Sequence, residues 1–314
     1  MKRISWIVLI LLFVLVAAAY ASIPGKITVS SVSSFGANRE GVYRFLINES
    51  NWKKWWPGSV SKGSNGSLLF RYEGYDFQIE KIFYDVIQLK FRSNKNSFGS
   101  FLKVIPYAID SIGVELSSEL NTGSNPFSRI STYFRAKKIK HSLDEIVLSL
   151  GKYAGDVKNI YGIGIKKEKV QYQHLISTKQ SFAHYPTTED IYILIGKLRD
   201  YINKSGGKEL FSPMLNVKRI DSSIYEAQVG MPVDKELPSL DNITSKWMMK
   251  GGNILTGEVI GGQKQIDEAT KQFEIYIRDY QRSIIAIPFQ MLITDRTKQP
   301  DSTRWVTYIY YPVV

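Results

Sequence analysis

The sequence predicts an α+β fold in two domains, built mainly from antiparallel strands, and three observations favour it. Residues 26–136 contain short runs of alternating apolar and polar residues separated by turn residues, as in a meander of strands. Residues 142–160 carry apolar side chains at three- and four-residue spacing and predict a long amphipathic helix. The rest of the chain repeats a strand-helix-strand-strand pattern twice, in units of roughly 70 residues.

Composition excludes several classes of protein. A chain of 314 residues with 44% hydrophobic residues is long enough for two packed cores. The net charge of +12, from 41 basic and 29 acidic residues, is scattered, and a nucleic-acid-binding protein would show a clustered patch. The chain has no cysteine, which excludes disulfides, thiolate metal sites and a cysteine nucleophile. Its three histidines show no metal-ligand spacing, so we expect no metal and no cofactor.

The N-terminal segment predicts a location at the cell membrane. Lys2 and Arg3 precede an apolar run over residues 4–21. Such a run, as a helix, spans roughly 27 Å, enough for a hydrocarbon core. Residues 1–23 are therefore predicted to be a single-pass anchor with the body on the extracytoplasmic side. In the alternative, Ala19-Tyr20-Ala21 is a signal-cleavage site and the protein is secreted or periplasmic.

The first predicted domain covers residues 26–160. A strand at 27–32 and a short helix at 39–46 precede the meander. Further strands are predicted at 68–72, 77–83, 86–91, 100–106, 109–120 and 129–136. The helix at 142–160 closes the domain.

The beginning of this domain resembles the SRPBCC superfamily, whose START-like, polyketide cyclase-like members have a helix-grip fold. The resemblance is carried by the helix VYRFL at 42–46 and the turn NWKKWW at 51–56. It implies a curved sheet that grips the long helix and often encloses an apolar cavity. Trp52, Trp55 and Trp56 then have three interpretations: a structural plug of the sheet, the lining of a cavity mouth, or rings anchored at a membrane interface.

The second predicted domain covers residues 165–314 and contains the repeat. The first copy has a bent strand at 169–183, a helix at 188–203 and strands at 214–219 and 225–233. The second copy has a bent strand at 245–260, a helix at 263–281 and strands at 289–294 and 305–313. The residues 187–190 are typical of a helix N-terminus.

This duplicated half is similar to GyrI-like effector-binding domains. The matching features are the strand from Tyr225-Glu226-Ala227 to Met231-Pro232-Val233, the glycines before the second helix, and the last strand ending at Pro312. The resemblance implies a small-molecule pocket between the two copies, walled by strands and aromatic rings. The predicted ligand-binding residues are Tyr225, Glu226, Trp247, Glu258, Trp305, Tyr308 and Tyr310. Alternation places Tyr308 and Tyr310 on one face, and filling of a core by these rings is the competing interpretation.

One departure from the family bears on the ligand and on catalysis. Cation-binding members of the GyrI-like family often carry a glutamate after the threonine of the last strand, where this chain has Tyr308. That change weakens both a preference for cations and a hydrolase interpretation. Glu226 and Glu258 lie on candidate strands and could substitute for the missing glutamate. No nucleotide-binding, serine-hydrolase or zinc-protease motif is present in the sequence, and we predict no catalytic residue.

The favoured hypothesis is a membrane-tethered, non-catalytic protein that binds a small amphipathic or aromatic molecule outside the cytoplasm. Its expected partners are that ligand and the membrane, without nucleic acid, and the sequence does not predict the oligomeric state. One alternative is a hydrolase that acts in the GyrI-like pocket. Another is a structural or partner-binding envelope protein.

Overall fold

The computed structural model describes residues 2–63, 66–93 and 96–314. The chain divides into two compact units, Met1–Ile160 and Tyr161–Val314. Each unit contains one antiparallel sheet and helices packed against it. The predicted α+β class with antiparallel sheets is confirmed.

The prediction of a single-pass membrane protein is wrong. The apolar N-terminal segment does form a helix, α1 (Lys2–Ser22). Over residues 2–63, 66–93 and 96–314, however, no helix has both the length and the apolar character required to cross a membrane. The predicted single-pass location in the cell membrane is corrected accordingly.

The first unit is built on a seven-stranded sheet in the order β1-β7-β6-β5-β4-β3-β2. Its strands are β1 (Lys26–Phe35), β2 (Ser59–Lys62), β3 (Leu68–Tyr72), β4 (Tyr75–Ile82), β5 (Val86–Ser93), β6 (Asn96–Ala108) and β7 (Ser111–Asn121). Helix α2 (Arg39–Leu46) and a 3-10 helix (Glu49–Lys54) lie between β1 and β2. The sequence prediction omitted β2, whose residues alternate weakly because most of them are exposed.

A long helix, α3 (Pro126–Ala154), packs against β1 and β7. It corrects two predictions, the strand at 129–136 and the helix at 142–160. The first of these segments is the N-terminal part of α3. The second contains its C-terminal part and most of a short helix, α4 (Val157–Tyr161), which crosses the division between the units.

The three neighbouring tryptophans are core residues of the first unit. Trp52, Trp55 and Trp56 are all buried. Trp52 stacks on Trp56 with 6.1 Å between ring centroids and also contacts Phe70 at 5.4 Å. Its indole Nε1 donates a hydrogen bond to the carbonyl of Leu46 at 2.7 Å. The structural interpretation of these rings therefore applies, because rings at a cavity mouth or an interface would be exposed.

The second unit has an eight-stranded sheet in the order β12-β9-β11-β10-β14-β15-β13-β8. Its strands are β8 (Lys166–Lys169), β9 (His174–Phe182), β10 (Met214–Arg219), β11 (Tyr225–Val233), β12 (Ile243–Trp247), β13 (Asn253–Ile260), β14 (Phe289–Leu292) and β15 (Val306–Pro312). The two bent strands predicted at 169–183 and 245–260 are each divided in two. The division at Gly251, which has a φ of 81°, sends β12 and β13 to opposite parts of the sheet.

Two helices of the second unit follow β9 and β13, as the predicted repeat requires. They are α5 (Thr188–Lys204) and α6 (Gln263–Asp279). Helix α5 packs against β9 and β11, while α6 packs against β13 and β15. Each copy thus contributes one helix and its strands, and the copies meet where Met214 of β10 pairs with Met291 of β14.

Candidate functional site

Strand alternation divides the sheet of the second unit into two faces, and both helices cover the same one. On β11, Val229 points toward α5 and joins a buried core. On β15, Tyr311 points toward α6 and stacks on Phe273, with 5.4 Å between the ring centroids. Intervening residues point the other way. We call that other side the pocket face, defined by Leu175, Met214, Phe289, Met291, Tyr308 and Tyr310.

A cavity of about 180 Å³ opens on the pocket face where the two copies meet. Ten of the described residues that line it are apolar or glycine: Leu175, Met214, Leu215, Gly230, Trp247, Met248, Ala286, Ile287, Phe289 and Pro312. Three are polar: Asn216, Gln228 and Lys246. An apolar cavity of about 150 Å³ admits benzene, so this cavity has room for one aromatic ring.

The absence of a side chain at Gly230 helps to keep the cavity open. A Cβ atom at this position would lie 3.2 Å from Leu175 Cδ1. That distance is tighter than an ordinary contact, so a side chain here would displace Leu175 or fill the cavity.

Strand β12 and the turn after it bring two large side chains to the cavity. Trp247 is the last residue of β12 and is 62% exposed, although it lines the cavity. The backbone N–H of Met248 then donates to the carbonyl of Gln173 at 2.8 Å, which holds this segment against the sheet. Trp247 therefore forms an aromatic wall that remains accessible to solvent.

A ladder of aromatic rings runs from the cavity along β14 and β15. Phe289 lines the cavity and stacks on Tyr310, with 4.9 Å between centroids and 12° between ring planes. Tyr308 lies next along the strand, 6.3 Å from Tyr310. Its hydroxyl donates to Glu258 Oε2 at 2.6 Å, and this hydrogen bond, with burial second, raises the pKa of Tyr308. Glu258 is thus engaged with Tyr308 on the same face.

Two lysines and one glutamate form the charged edge of the pocket face. Lys179 Nζ lies 3.0 Å from Glu226 Oε2 in an ion pair. Lys246 lines the cavity beside them. Burial lowers the pKa of Lys246, and the like charge of Lys179 lowers it further, while Glu226 acts in the opposite direction.

The structure divides the seven predicted site residues between the two faces. Glu226, Glu258, Tyr308 and Tyr310 lie on the pocket face, and Trp247 lines its cavity. Tyr225 and Trp305 are placed elsewhere.

Tyr225 packs near the N-terminus of α5, and Trp305 packs against the loop before β15. The ring of Tyr225 packs edge-on against Tyr185, with 5.6 Å between centroids. Trp305 Nε1 donates to the carbonyl of Gln299 at 2.8 Å. The guanidinium of Arg296 lies 4.5 Å from the centroid of Trp305. These contacts hold local structure together rather than forming the cavity wall.

Phe289, Met248 and Lys246 line the cavity but are not among the residues predicted from the sequence. Phe289 begins a predicted strand, but its stacking on Tyr310 depends on the pairing of β14 with β15. Lys246 and Met248 fell inside a segment predicted to be one bent strand. Gly251 and Gly252 lie within this segment, and two adjacent glycines are a signal for a turn as well as for a bend within one strand.

A larger cavity of about 510 Å³ lies near the start of β10, and its walls are more charged. Arg199, Glu209 and Asp295 are among its lining residues. Arg199 Nε and Glu209 Oε1 form an ion pair of 3.1 Å there. We favour the smaller cavity, because aromatic walls with few polar groups are typical of small-molecule sites. In the part of the chain that the structure describes, no cluster of three or more histidine, aspartate or glutamate residues could hold a metal ion.

No protein-family model matches the chain, and no curated protein matches it. Among solved structures, the chain is similar to the EcmrR C-terminal domain, with 14% identity, a TM-score of 0.41 and coverage of 48% of this chain and 98% of that chain. It is similar to EcmrR in an EcmrR–DNA complex, with 16% identity, a TM-score of 0.42 and coverage of 60% and 64%. A hydrolase encoded by lin2189 from Listeria innocua shows 8% identity, a TM-score of 0.36 and coverage of 48% and 91%. These likenesses establish neither a family nor an activity.

Proposed function

We propose that the second unit binds a small aromatic or amphipathic molecule in the cavity of the pocket face, without transforming it. The observation that carries this proposal is the cavity of about 180 Å³, walled by Trp247 and Phe289 and lined by three polar side chains. Small-molecule sites combine apolar walls with a few polar groups in this way. The size of the cavity favours a ligand that inserts one ring and leaves the rest of the molecule at the mouth.

The placement of the carboxylates favours binding over hydrolysis. A hydrolase in this cavity would need an acid or base that reaches the substrate. Among the described residues that line the cavity, none is a carboxylate. Glu226 is paired with Lys179, and Glu258 accepts a hydrogen bond from Tyr308. Both glutamates that could substitute for the carboxylate of the family are therefore engaged within the protein.

A test of the binding site uses a neutral aromatic probe, naphthamide. Trp247→Ala should weaken its binding about fivefold to tenfold, because an aromatic contact contributes about 0.5–1.5 kcal/mol beyond its buried area. Phe289→Leu should weaken binding as well, because it removes the aromatic ring but keeps a large apolar side chain in the cavity wall. Isothermal titration calorimetry of the full chain measures both affinities.

Tyr225→Ala is the matched control, because Tyr225 was predicted at the site but packs against Tyr185 instead. Its affinity for naphthamide should stay within about twofold of the unaltered protein, on the scale of a residue outside the contact. Equal binding by the unaltered protein, Trp247→Ala and Phe289→Leu would place the probe elsewhere and contradict the proposed site. No binding by the unaltered protein at millimolar probe would contradict the function.

We also propose the family assignments that the sequence suggested. A helix-grip arrangement for residues 26–160 is supported by the long helix α3, which packs on β1 and β7 of one antiparallel sheet. A GyrI-like domain in the second unit is supported by the repeat of strand, helix and two strands and by a cavity where the copies meet. The first proposal implies no ligand, because its tryptophans are packed in the core.

The second unit should fold as a fragment, provided that it begins early enough. The hydroxyl of Tyr161 donates to Asp279 Oδ2 at 2.8 Å, and both side chains are buried. A fragment of residues 161–314 should therefore unfold cooperatively. A fragment of residues 165–314, which begins at the predicted domain boundary, should be less stable by about 1–2 kcal/mol, because the buried side chain of Asp279 loses the donor Tyr161. Urea denaturation compares them, and equal stability would show that this contact contributes nothing.

A further inference from the structure

The described lining of the cavity contains a positively charged side chain and no negatively charged one. Lys246 is the one charged side chain among the described residues that line the cavity. The amides of Asn216 and Gln228 are its other polar groups, and Asn216 Nδ2 already donates to the carbonyl of Pro288 at 2.9 Å. A ligand therefore meets one cation and two neutral amides beside the aromatic walls.

The neighbours of Lys246 leave its charge uncompensated at short range. Glu226 is the carboxylate that acts on Lys246, but it forms its ion pair with Lys179. Within the described parts of the chain, no carboxylate forms an ion pair with Lys246 itself. Lys179 also carries the same charge as Lys246. Because Glu226 is paired with Lys179, no ion pair among the described residues neutralises the charge of Lys246 at this edge of the cavity.

The opposite side of the pocket face adds no competing negative charge to the lining. Glu258 lies on β13 and accepts the hydrogen bond of Tyr308, and it does not line the cavity. A cationic ligand would therefore approach Lys246 without a carboxylate to pair with it, and burying a cation unpaired is unfavourable. An anionic group would gain a charge-assisted hydrogen bond from the same lysine.

We propose that the cavity selects aromatic molecules that carry one anionic group, such as a carboxylate. The ring lies against Trp247 and Phe289, the anion faces the Lys246 ammonium, and the Gln228 amide supplies a second polar contact. This inference rests on the proposed function and specifies its ligand class. Lys246 is the residue that determines the preference for charge.

The experiment compares three probes of similar shape by calorimetry on the full chain: naphthoate, naphthamide and naphthylmethylammonium. Naphthoate should bind about fivefold tighter than naphthamide, the scale of a partly exposed ion pair, and naphthylmethylammonium should bind most weakly. Lys246→Gln should remove the advantage of naphthoate over naphthamide, so the ratio of the two affinities should fall to about one. High salt should also reduce the advantage, because it screens the charges.

Two further variants control for net charge and for the neighbouring ion pair. Lys264→Gln removes the same charge from an exposed position on α6, which packs on the other face, and should leave the ratio of naphthoate to naphthamide affinity unchanged. Glu226→Gln removes the opposing charge and should raise that ratio, by about twofold on the scale of exposed charge pairs.

The outcomes separate this inference from the proposed function. Binding of naphthamide that depends on Trp247, with no advantage for naphthoate, would leave the pocket in place and overturn the anionic preference. The same would follow if Lys246→Gln and Lys264→Gln changed the affinity ratio equally. If none of the three probes binds, the proposed function and this inference are both overturned.

Discussion

Trp52→Ala is expected to lower the free energy of unfolding of the first unit by about 3–5 kcal/mol, the range for deletion of a buried large aromatic side chain. Trp52 is 0% exposed and sits among other rings, with centroids 5.0 Å from Trp55 and 5.4 Å from Phe70. Alanine would leave a cavity inside this cluster. It would also remove the donor that bonds the carbonyl of Leu46.

Urea denaturation followed by circular dichroism measures this loss, and two substitutions control it. Trp52→Phe retains most of the ring volume but removes the indole N–H, so it should cost less, about 1–3 kcal/mol. Phe134→Ala removes an aromatic ring that is 59% exposed on α3 and should cost at most about 0.5 kcal/mol. A loss below 1 kcal/mol for Trp52→Ala would contradict the core role of the tryptophan cluster.

Local signals in the sequence predicted the helices of the second unit well. The predicted helix at 188–203 corresponds to α5, and its N-terminus has the reciprocal bonds of a capping box. The backbone N–H of Asp190 donates to Thr187 Oγ1 at 3.2 Å, and the N–H of Thr187 donates to Asp190 Oδ2 at 2.8 Å. Because both partners lie within one turn, four consecutive residues are enough to encode this boundary.

The missed part of α3 shows how a local pattern can mislead. Residues 129–136 alternate in polarity and were predicted to be a strand. Their buried members are Thr132 and Ala136, four residues apart, which is the spacing of a helix face. The decisive signal lay just before them: Asn125 Oδ1 accepts from the N–H of Phe127 at 2.8 Å, and Pro126 occupies the first turn. An asparagine followed by proline is a helix start.

The cavity could be predicted only in part, because it depends on pairing between distant strands. Alternation alone places Tyr308 and Tyr310 on one face. Placing Lys246 beside the cavity requires the pairing of Lys246 with Leu175, across β12 and β9. Residues that pair in this way are far apart along the chain, and no short motif records their register. The proposed preference for an anionic ligand depends on this pairing and could therefore not be predicted from the sequence.

Phe273→Ala is expected to lower the free energy of unfolding of the second unit by about 3–5 kcal/mol. Phe273 is 0% exposed and joins α6 to the sheet by stacking on Tyr311 with 15° between the ring planes. The ring fits against the sheet because residue 257 is glycine and has no side chain in the way. A Cβ atom there would lie 2.9 Å from Phe273 Cζ. The ring and the glycine are therefore complementary parts of one contact.

A double-mutant cycle tests that complementarity by urea denaturation. Gly257→Ala alone should cost about 1–3 kcal/mol, because the new methyl group overpacks the contact. In the double variant with Phe273→Ala, the methyl group enters the space that the ring has left. The double variant should therefore lose less stability than the sum of the two single losses. A coupling energy of about 1 kcal/mol or more is expected for residues in direct contact. Simple additivity would mean that the cost at position 257 arises from its other close neighbour, the carbonyl of Gly164 at 3.0 Å.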